Sequence, residues 1–302
     1  METQWGALPV ADAHVHFFSH RFFSALAAQK QVPLNALGGL LGWQLPPPEP
    51  EALAEIWAQE LDRHSVDRAV LIASVPGDED SVIAARRRFP ERFHAWAMVN
   101  PCAADAAESA ARALHTGDLH GFCFFPAMHR YSIQDERAVR LIELLAVKRG
   151  VAFVHCGVLT VGVRAKLGLR SDFDLRFSSP VDLHAVALRF PEVRFVIPHF
   201  GAGYLREALM VADLCPNVYL DTSSTNSWMR YEAEPMDLRA VIRRALDVVG
   251  PARLLFGTDS SFFPRGWHRP IFEAQTKALY ELGVSQGDAT RILHDNLIHL
   301  FG

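Results

Sequence analysis

The sequence predicts an α/β fold, a (β/α)8 barrel of the TIM type, and two observations indicate it. Short apolar, β-rich runs alternate with helical patterns, which is the order of βαβ units in a parallel sheet. These runs number eight, and eight parallel strands close such a barrel. A chain of 302 residues is long enough for one barrel, so we expect a single domain over residues 1–302.

The eight runs are the predicted strands, and amphipathic patterns separate them. From Glu51 to Leu61, apolar residues recur at helical spacing with polar residues opposite, as in a helix that packs on a sheet. Pro180 is expected to begin a helix that runs towards Phe190, and Pro191 follows where that helix should stop. The runs are Val10–Phe17, Arg68–Ser74, Phe93–Asn100, His120–Pro126, Val151–Gly157, Arg194–Gly201, Asn217–Ser223 and Arg253–Ser260.

Two connections, 18–50 and 158–179, are longer than the usual few residues. Each follows a strand, and such loops commonly build the substrate pocket of a barrel. Aromatic residues of the first connection should pack onto the barrel, with an apolar lid or an oligomer contact as the alternative. Basic residues of the second favour an anionic substrate, with a solvated surface loop as the alternative. The aromatic residues are Phe17, Phe18, Phe22, Phe23 and Trp43, and the basic ones are Arg164, Lys166, Arg170 and Arg176.

Composition and charge restrict the partners. A formal net charge of −4 and a pI near 6.4 give no electrostatic footprint for nucleic acid. No apolar stretch approaches the roughly 20 residues that span a bilayer, so no membrane partner is expected. The four cysteines lie far apart, and no signal-peptide pattern opens the sequence. We therefore expect a cytoplasmic protein with reduced thiols and a small-molecule substrate, either monomeric or a homo-oligomer.

Histidine or aspartate occurs at the ends of four runs. His14 and His16 close the first run, His155 lies near the end of the fifth, His199 ends the sixth and Asp259 ends the eighth. Because strand side chains alternate between faces, His14 and His16 project together. The carboxyl ends of barrel strands share one rim, where the active site lies. Scattered structural histidines would have no reason to share that rim, so the pattern predicts a metal site.

Three imidazoles and one carboxylate, from His14, His16, His155 and Asp259, form a mixed nitrogen and oxygen ligand set. Such a set suits one Zn²⁺ ion and also Fe²⁺, Mn²⁺ or Co²⁺. A catalytic ion with an open position brings the pKa of a bound water towards about 7. Asp259 is then placed to take the proton, and His199 to orient the water or polarise the substrate. The alternative for Asp259 is to cap the turn after its strand.

The order of these motifs resembles the amidohydrolase superfamily, in particular the branch that includes aminocarboxymuconate-semialdehyde decarboxylase. The likeness runs from Asp12–His16 to the closing segment Ile292–Gly302, which is similar to the family's final helix. The resemblance implies a metallo-dependent hydrolase barrel whose metal ligands are His14, His16, His155 and Asp259. It also implies that His199 is the strand-six histidine, a ligand in binuclear members and an acid, base or substrate-polarising group in mononuclear ones.

One departure from the family pattern bears on the number of ions. Binuclear members often use a carboxylated lysine of strand four to bridge two ions, whereas the fourth run, Gly121–Pro126, contains no lysine. We therefore expect one ion. A second ion would need a substitute bridge such as Cys123 or a carboxylate from elsewhere.

Several residues next to these motifs have open roles. By strand alternation, Asp12 shares the face of the histidine pair, and it either supports the site from below or ends a turn. Cys156 should point away from the site as a small buried hydrophobe. Trp228 and Arg230 follow the seventh run and are expected to face the pocket, with Trp228 as a substrate contact.

The main functional hypothesis is a metal-dependent hydrolase that acts through an activated water on a small ester, lactone or amide bearing a carboxylate. The alternative is non-oxidative decarboxylation of an unsaturated or aromatic carboxylate at the same site. A third hypothesis, a non-catalytic metal-binding module, is opposed by the complete ligand set. Fold analogy does not decide between the first two.

Replacement of both His14 and His16 by alanine is expected to remove most of the bound metal, because two ligands are lost. His199→Ala is expected to retain much of the metal and to lose turnover, because this residue acts on water or substrate. Metal analysis of the purified variants beside a steady-state assay measures both effects. Stoichiometric metal in the double variant would contradict the ligand assignment.

Overall fold

The computed structural model describes residues 1–223 and 227–301. Within these ranges, eight parallel strands follow one another in chain order around one sheet, each hydrogen-bonded to the next. Strands β1 to β8 are Ala11–Phe17, Arg68–Ala73, Phe93–Val99, Gly121–Phe124, Val151–Val154, Arg194–Ile197, Val218–Asp221 and Leu254–Leu255. Each lies inside one predicted run, which confirms the predicted strands. A short antiparallel hairpin, Glu2–Thr3 with Gly6–Ala7, precedes them.

A helix follows each strand along the chain, so the predicted TIM barrel is confirmed. These helices are Pro50–Arg63, Glu79–Arg88, Ala106–His115, Glu136–Lys148, Val181–Arg189, Leu205–Leu214, Leu238–Val249 and Arg269–Glu281. Further helical segments are Pro126–His129, Gln286–Thr290, the π-helical Arg291–Asp295 and Asn296–Phe301. Single 3-10 turns occur at Pro198–Gly201, Ser227–Tyr231 and Pro251–Arg253.

The helix Pro50–Arg63 illustrates how the sequence specifies these elements. Proline occupies its first turn, where a backbone N–H has no helical partner to lose. Leu53, Trp57 and Leu61 recur four residues apart and are buried in the layer between the helices and the sheet. The helix Val181–Arg189 likewise begins directly after one proline and ends before the next, as predicted.

The strands are buried on both faces, which explains their continuous apolar runs. In β2, Leu71 packs in the outer layer against the helices, whereas its neighbours Val70 and Ile72 pack in the cluster that fills the barrel. Trp96 of β3 and Phe153 of β5 are the large side chains of that inner cluster. The interior of the barrel is therefore a packed core.

A bulge in β1 alters the predicted alternation of side chains. The pairing with β2 shifts between Asp12 and Val15, so one additional residue enters β1. Ala13 packs in the inner cluster, whereas Val15, two residues later, packs in the outer one. The expectation that Asp12 shares the face of the histidine pair is therefore wrong, because the bulge intervenes.

The barrel closes where β1 meets the segment after β8, a boundary that we call the seam. Three backbone hydrogen bonds cross it, from Ala13 N to Phe256 O at 2.8 Å, from Asp259 N to His14 O at 3.0 Å, and from His16 N to Ser260 O at 2.7 Å. Two of these bonds are made by the backbones of the predicted ligands His14, His16 and Asp259. The hydrogen bonds that close the barrel therefore also bring the predicted ligands together.

Asp12 holds the seam from beneath. Its Oδ1 accepts hydrogen bonds from His14 N at 2.9 Å and Thr258 N at 3.1 Å. Its Oδ2 accepts from Thr258 Oγ1 at 2.5 Å and from Trp267 Nε1 at 2.8 Å. Burial raises the pKa of Asp12 to about 6, although these donors favour the ionised carboxylate. Of the two predicted roles for Asp12, the structure favours support of the site.

The two long connections pack on each other above the barrel and form what we call the cap. Connection 18–50 contains helices His20–Lys30 and Leu34–Leu41, and connection 158–179 contains helix Gly162–Lys166 and the 3-10 turn Leu175–Phe177. They share one apolar cluster, built from Phe22, Phe23, Leu37, Trp43, Val163 and Leu167 among others. Phe18 borders this cluster, whereas Phe17 packs in the outer layer of the barrel. The aromatic residues thus serve packing, in part between the two connections.

Among residues 1–223 and 227–301, no helix combines the length and the apolar character needed to cross a membrane.

Asp12→Asn is expected to lower the free energy of unfolding by about 2–4 kcal/mol, since one carboxylate oxygen becomes an NH2 group that faces two donors. Chemical denaturation of the metal-free protein measures the change. Asp247→Asn, which alters an exposed carboxylate on the helix Leu238–Val249, is the matched control. Equal stability of the two variants would contradict the role of Asp12 at the seam.

Candidate metal centre

His14, His16 and Asp259 bring their donor atoms together at the rim. Nε2 of His16 lies 3.3 Å from Nε2 of His14 and 3.2 Å from Oδ1 of Asp259, and the remaining separation is 3.7 Å. Tetrahedral bonds of about 2.0–2.2 Å to one ion place neighbouring donors about 3.3–3.6 Å apart. The three residues form a possible metal site, and their spacing fits one ion.

A buried carboxylate orients His14. Its Nδ1 lies 2.6 Å from Oδ2 of Asp221, whose side chain is 1% exposed, and 2.8 Å from Oγ of Ser223. Ser223 Oγ donates to the same carboxylate at 2.8 Å. A proton on Nδ1 therefore satisfies Asp221 and leaves the lone pair of Nε2 directed at the site, an arrangement typical of metal-binding histidines.

A serine hydroxyl orients the ring of His16. Nδ1 of His16 lies 2.7 Å from Oγ of Ser74, and that hydroxyl donates to Ile72 O at 3.1 Å. With its proton directed at the backbone, Ser74 accepts from Nδ1–H, so Nε2 of His16 remains free to bind an ion.

The electrostatics of the three residues favour a cation between them. Burial opposes the charged form of His14, but the carboxylates of Asp221 and Asp259 outweigh it and raise the pKa of His14. Burial lowers the pKa of His16, which keeps this ring neutral. Burial also opposes ionisation of Asp259, yet the hydrogen bond to His16 and the neighbouring histidines lower its pKa. The field that favours a proton on His14 equally favours a metal ion.

His155 lies in the wall of the same cavity, with its ring centroid 5.4 Å from that of His199. Burial lowers the pKa of His155 well below its ordinary value, so the ring is neutral. Its Nδ1 is buried and has no hydrogen-bond partner within the described ranges. An unpartnered buried nitrogen is costly, which fits a site that takes up a ligand. His155 is outside the close group of three, so its role as the fourth ligand stays a prediction.

His199 presents one ring nitrogen to the cavity. Its Nδ1 donates to Ser223 O at 2.8 Å, and burial lowers its pKa, so the ring is neutral with an accepting Nε2. Both His199 and Asp259 have left-handed backbone, with φ of 55° and 58°. Residues other than glycine rarely adopt this conformation, which concentrates at functional sites.

The cavity beside the three donors has a volume of about 60 Å³. Trp228 and Arg230 line it, and Trp228 Nε1 is buried without a hydrogen-bond partner in the described part of the chain. Both residues face the pocket as expected, and contact with a substrate stays a prediction. The wall consists of His155, Val158, Thr160, His199, Ala202, Ser227, Trp228, Arg230, Tyr231 and Asp259.

The four basic residues of connection 158–179 are not in that wall. Arg164 bonds the side chain of a glutamine in the first connection, and Nζ of Lys166 lies 5.4 Å from the ring centroid of Trp43. Arg170 and Arg176 have side chains 87% and 85% exposed, each paired with the aspartate two residues away. Their predicted contact with substrate thus has no geometric support here.

Three residues that the sequence reasoning missed support the site: Asp221, Ser223 and Ser74. Asp221 is the last residue of β7, the same rim position that identified the predicted ligands, so this signal was available. Gly257 also matters, because an added Cβ would lie 2.7 Å from Asp221 Oδ1 and 3.0 Å from His14 Cβ. Only glycine leaves room at this position for the pair of side chains.

Neither cysteine near the site has the character of a ligand. Cys123 of β4 is fully buried in the inner cluster, and burial raises the pKa of its thiol well above the ordinary value. A neutral thiol is a poor bridge between two ions. Cys156 packs in the outer layer, away from the site, as expected. Cys123 is therefore a poor substitute bridge, and the expectation of one ion stays a prediction.

Comparison with known proteins decides the family. A family model described as Amidohydrolase matches residues 11–302. The chain belongs to the amidohydrolase family. The recognition made from the order of the histidine and aspartate motifs is thereby confirmed.

Solved structures share the fold of this amidohydrolase at low identity. An amidohydrolase from Burkholderia multivorans with bound zinc is 17% identical, covers 97% of this chain and 99% of that chain, and has a TM-score of 0.65. A dihydroxybenzoic acid decarboxylase from Polaromonas sp. JS666, with manganese and 2-nitroresorcinol bound, is 15% identical over 98% and 97% of the two chains, with a TM-score of 0.63. A probable 2-pyrone-4,6-dicarboxylic acid hydrolase from Acinetobacter baumannii is 15% identical over 98% and 100%, with a TM-score of 0.60.

One curated relative matches part of this amidohydrolase. Protein fluG of Emericella nidulans is 33% identical over 123 residues, which are 40% of this chain. The match covers 14% of Protein fluG, so this chain spans only a small part of its length.

Asp221→Asn is expected to weaken metal binding by about 10- to 100-fold, because the amide no longer fixes the proton of His14 on Nδ1. Competition with a chromogenic zinc chelator measures the affinity. Asp247→Asn again serves as the control, and it should bind zinc like the wild type. Wild-type affinity in the Asp221 variant would show that the carboxylate does not act through His14.

Proposed function

We propose that this amidohydrolase is a metal-dependent hydrolase of a small ester, lactone or amide that carries a carboxylate. The observation that carries the proposal is the spacing of the three donors, next to a neutral His199 whose Nε2 has no hydrogen-bond partner among residues 1–223 and 227–301. A site of this kind places one reactive water and one proton acceptor against a bound substrate.

The proposed cofactor is one divalent ion held by His14, His16 and Asp259, with His155 as the fourth ligand. We propose Zn²⁺, with Fe²⁺, Mn²⁺ and Co²⁺ as alternatives, on the donor set and on relatives solved with zinc and with manganese. When bound, the ion supplies Lewis acidity, which acidifies a water and polarises a carbonyl.

Residues of the protein itself then transfer the proton, orient the water and bind the substrate. Asp259, ionised by its surroundings, takes the proton of the attacking water on a carboxylate oxygen. His199 accepts at Nε2 because Ser223 O holds the proton on Nδ1, so it orients that water. Of its two predicted roles, this one fits the tautomer better than polarising the substrate. The unpartnered Nε1–H of Trp228 offers a donor to the substrate.

Decarboxylation of an unsaturated or aromatic carboxylate is the second candidate. It is supported by the relative named as a dihydroxybenzoic acid decarboxylase, and the same residues could hold that class of substrate. Hydrolysis is preferred because His199 is neutral and accepting, which suits a water better than a proton donor to a carbanion. The non-catalytic module is not retained, since the chain belongs to an enzyme family.

We also propose a cytoplasmic setting and a small-molecule partner. Cys102, Cys123, Cys156 and Cys215 are free thiols, which suits a reducing compartment. The formation of a homo-oligomer stays a prediction.

Turnover in water enriched in ¹⁸O separates the two reactions. A panel of carboxylate-bearing esters, lactones and amides is expected to give product with one labelled oxygen and no carbon dioxide, measured by mass spectrometry. His199→Asn and metal-stripped protein are the controls, and both should be inactive. Release of carbon dioxide without label in the product would overturn hydrolysis in favour of decarboxylation.

A further inference from the structure

Arg265 follows β8 and lies outside the cavity wall, but unlike the basic residues of connection 158–179 it bonds a residue of that wall, Asp259. Its Nη2 donates to the backbone oxygen of Asp259 at 3.1 Å and to Ser261 Oγ at 2.9 Å. Its Cζ lies 4.5 Å from the ring centroid of Phe262, close enough for a cation–π interaction. Two hydrogen bonds and a ring face therefore hold the guanidinium in one orientation.

The charge of Arg265 is not neutralised by an ion pair. Across residues 1–223 and 227–301, no carboxylate oxygen lies within salt-bridge distance of its guanidinium, whereas Arg269, four residues later, pairs with Glu273 at 2.8 Å. Nη2 uses two of the five N–H donors of an arginine, and Nε and Nη1 have no hydrogen-bond partner in those ranges. One edge of the fork is therefore available, and the side chain is exposed to a ligand.

The charge of Arg265 lies in the electrostatic field of the centre. The charge of Arg265 contributes to the lowered pKa of His16, and it interacts with Asp259 and His268. Arg265 bonds Asp259 through the backbone, so the carboxylate of that residue remains with the histidines. A bound ion and the guanidinium would thus place two positive charges on the two sides of one residue. A ligand with a carboxylate beside its reacting group matches that pair.

We propose that Arg265 forms a carboxylate subsite next to the metal centre and receives the carboxylate of the substrate on its Nε and Nη1 edge. The guanidinium fork fits a carboxylate through two parallel hydrogen bonds. The subsite rests on the proposed function only in requiring that an ion occupies the three-residue site. It assigns the recognition of an anionic substrate to a residue after β8, instead of to the basic residues of connection 158–179.

Binding of isophthalate and of its neutral analogue isophthalamide to the zinc-loaded protein tests this subsite. Calorimetry should show that Arg265→Gln weakens the binding of isophthalate by about 10- to 100-fold, because a charged hydrogen-bonded pair is lost. The affinity for isophthalamide should not change. Arg265→Lys, which keeps the charge and loses the fork, should fall between. Arg269→Gln, the matched control, should bind both probes like the wild type.

Several results would overturn the subsite. One is equal affinity of the wild type for both probes. Another is unchanged affinity for isophthalate in Arg265→Gln, and the third is an equal loss of affinity for both probes in that variant. Zinc content and unfolding temperature are measured for every variant. If Arg265→Gln does not bind zinc, Arg265→Lys is used for the test instead. Wild-type affinity for isophthalate in Arg265→Lys would then contradict recognition of the carboxylate by the guanidinium.

The readout separates the subsite from the proposed reaction. Selective loss of isophthalate in Arg265→Gln, in a protein that hydrolyses no compound of the panel, would contradict the proposed hydrolysis and support the subsite. Hydrolysis by the wild type, together with unchanged isophthalate binding in Arg265→Gln, would support the proposed hydrolysis and contradict the subsite.

Discussion

Closure of the barrel at the seam is the constraint on which the site depends. Strands β1 and β8 are not joined by a regular ladder, and the bonds that connect them belong to the segments that carry His14, His16 and Asp259. The bulge in β1 turns Asp12 under this junction, where Thr258 and Trp267 bond to it. Strand pairing, the geometry of the three donors and the buried carboxylate of Asp12 therefore depend on one another.

Buried polar groups are tolerated here because they satisfy one another. Asp12 accepts four hydrogen bonds, and Asp221 accepts from His14 and from Ser223 by both side chain and backbone. Such a network is costly when incomplete and rigid when complete. Within residues 1–223 and 227–301, several buried side-chain atoms have no partner, and two of them, Nδ1 of His155 and Nε1 of Trp228, lie in the cavity wall. A ligand in the cavity would offer partners to these two groups.

The strands could be predicted from the periodicity of apolar residues. The three clustered donors could be predicted from their positions at the carboxyl ends of strands. Apolar runs of strand length gave the barrel, and the shared rim joined residues as distant as His14 and Asp259. The bulge could not be predicted, because one additional residue leaves the apolar pattern almost unchanged. Neither could the positions of Arg164 and Arg265, since tertiary contacts decide where a loop side chain lies. A lone serine such as Ser74 carries no pattern at all.

The seam also determines when the three donors of the candidate metal site come together during synthesis. His14 and His16 are synthesised long before Gly257 and Asp259, which follow the last strand of the sheet. Contacts so distant in sequence form late in folding. An emerging chain presents only an exposed histidine pair, which is a weak and unselective binder of divalent ions. The candidate site is therefore complete only after β8 has docked against β1.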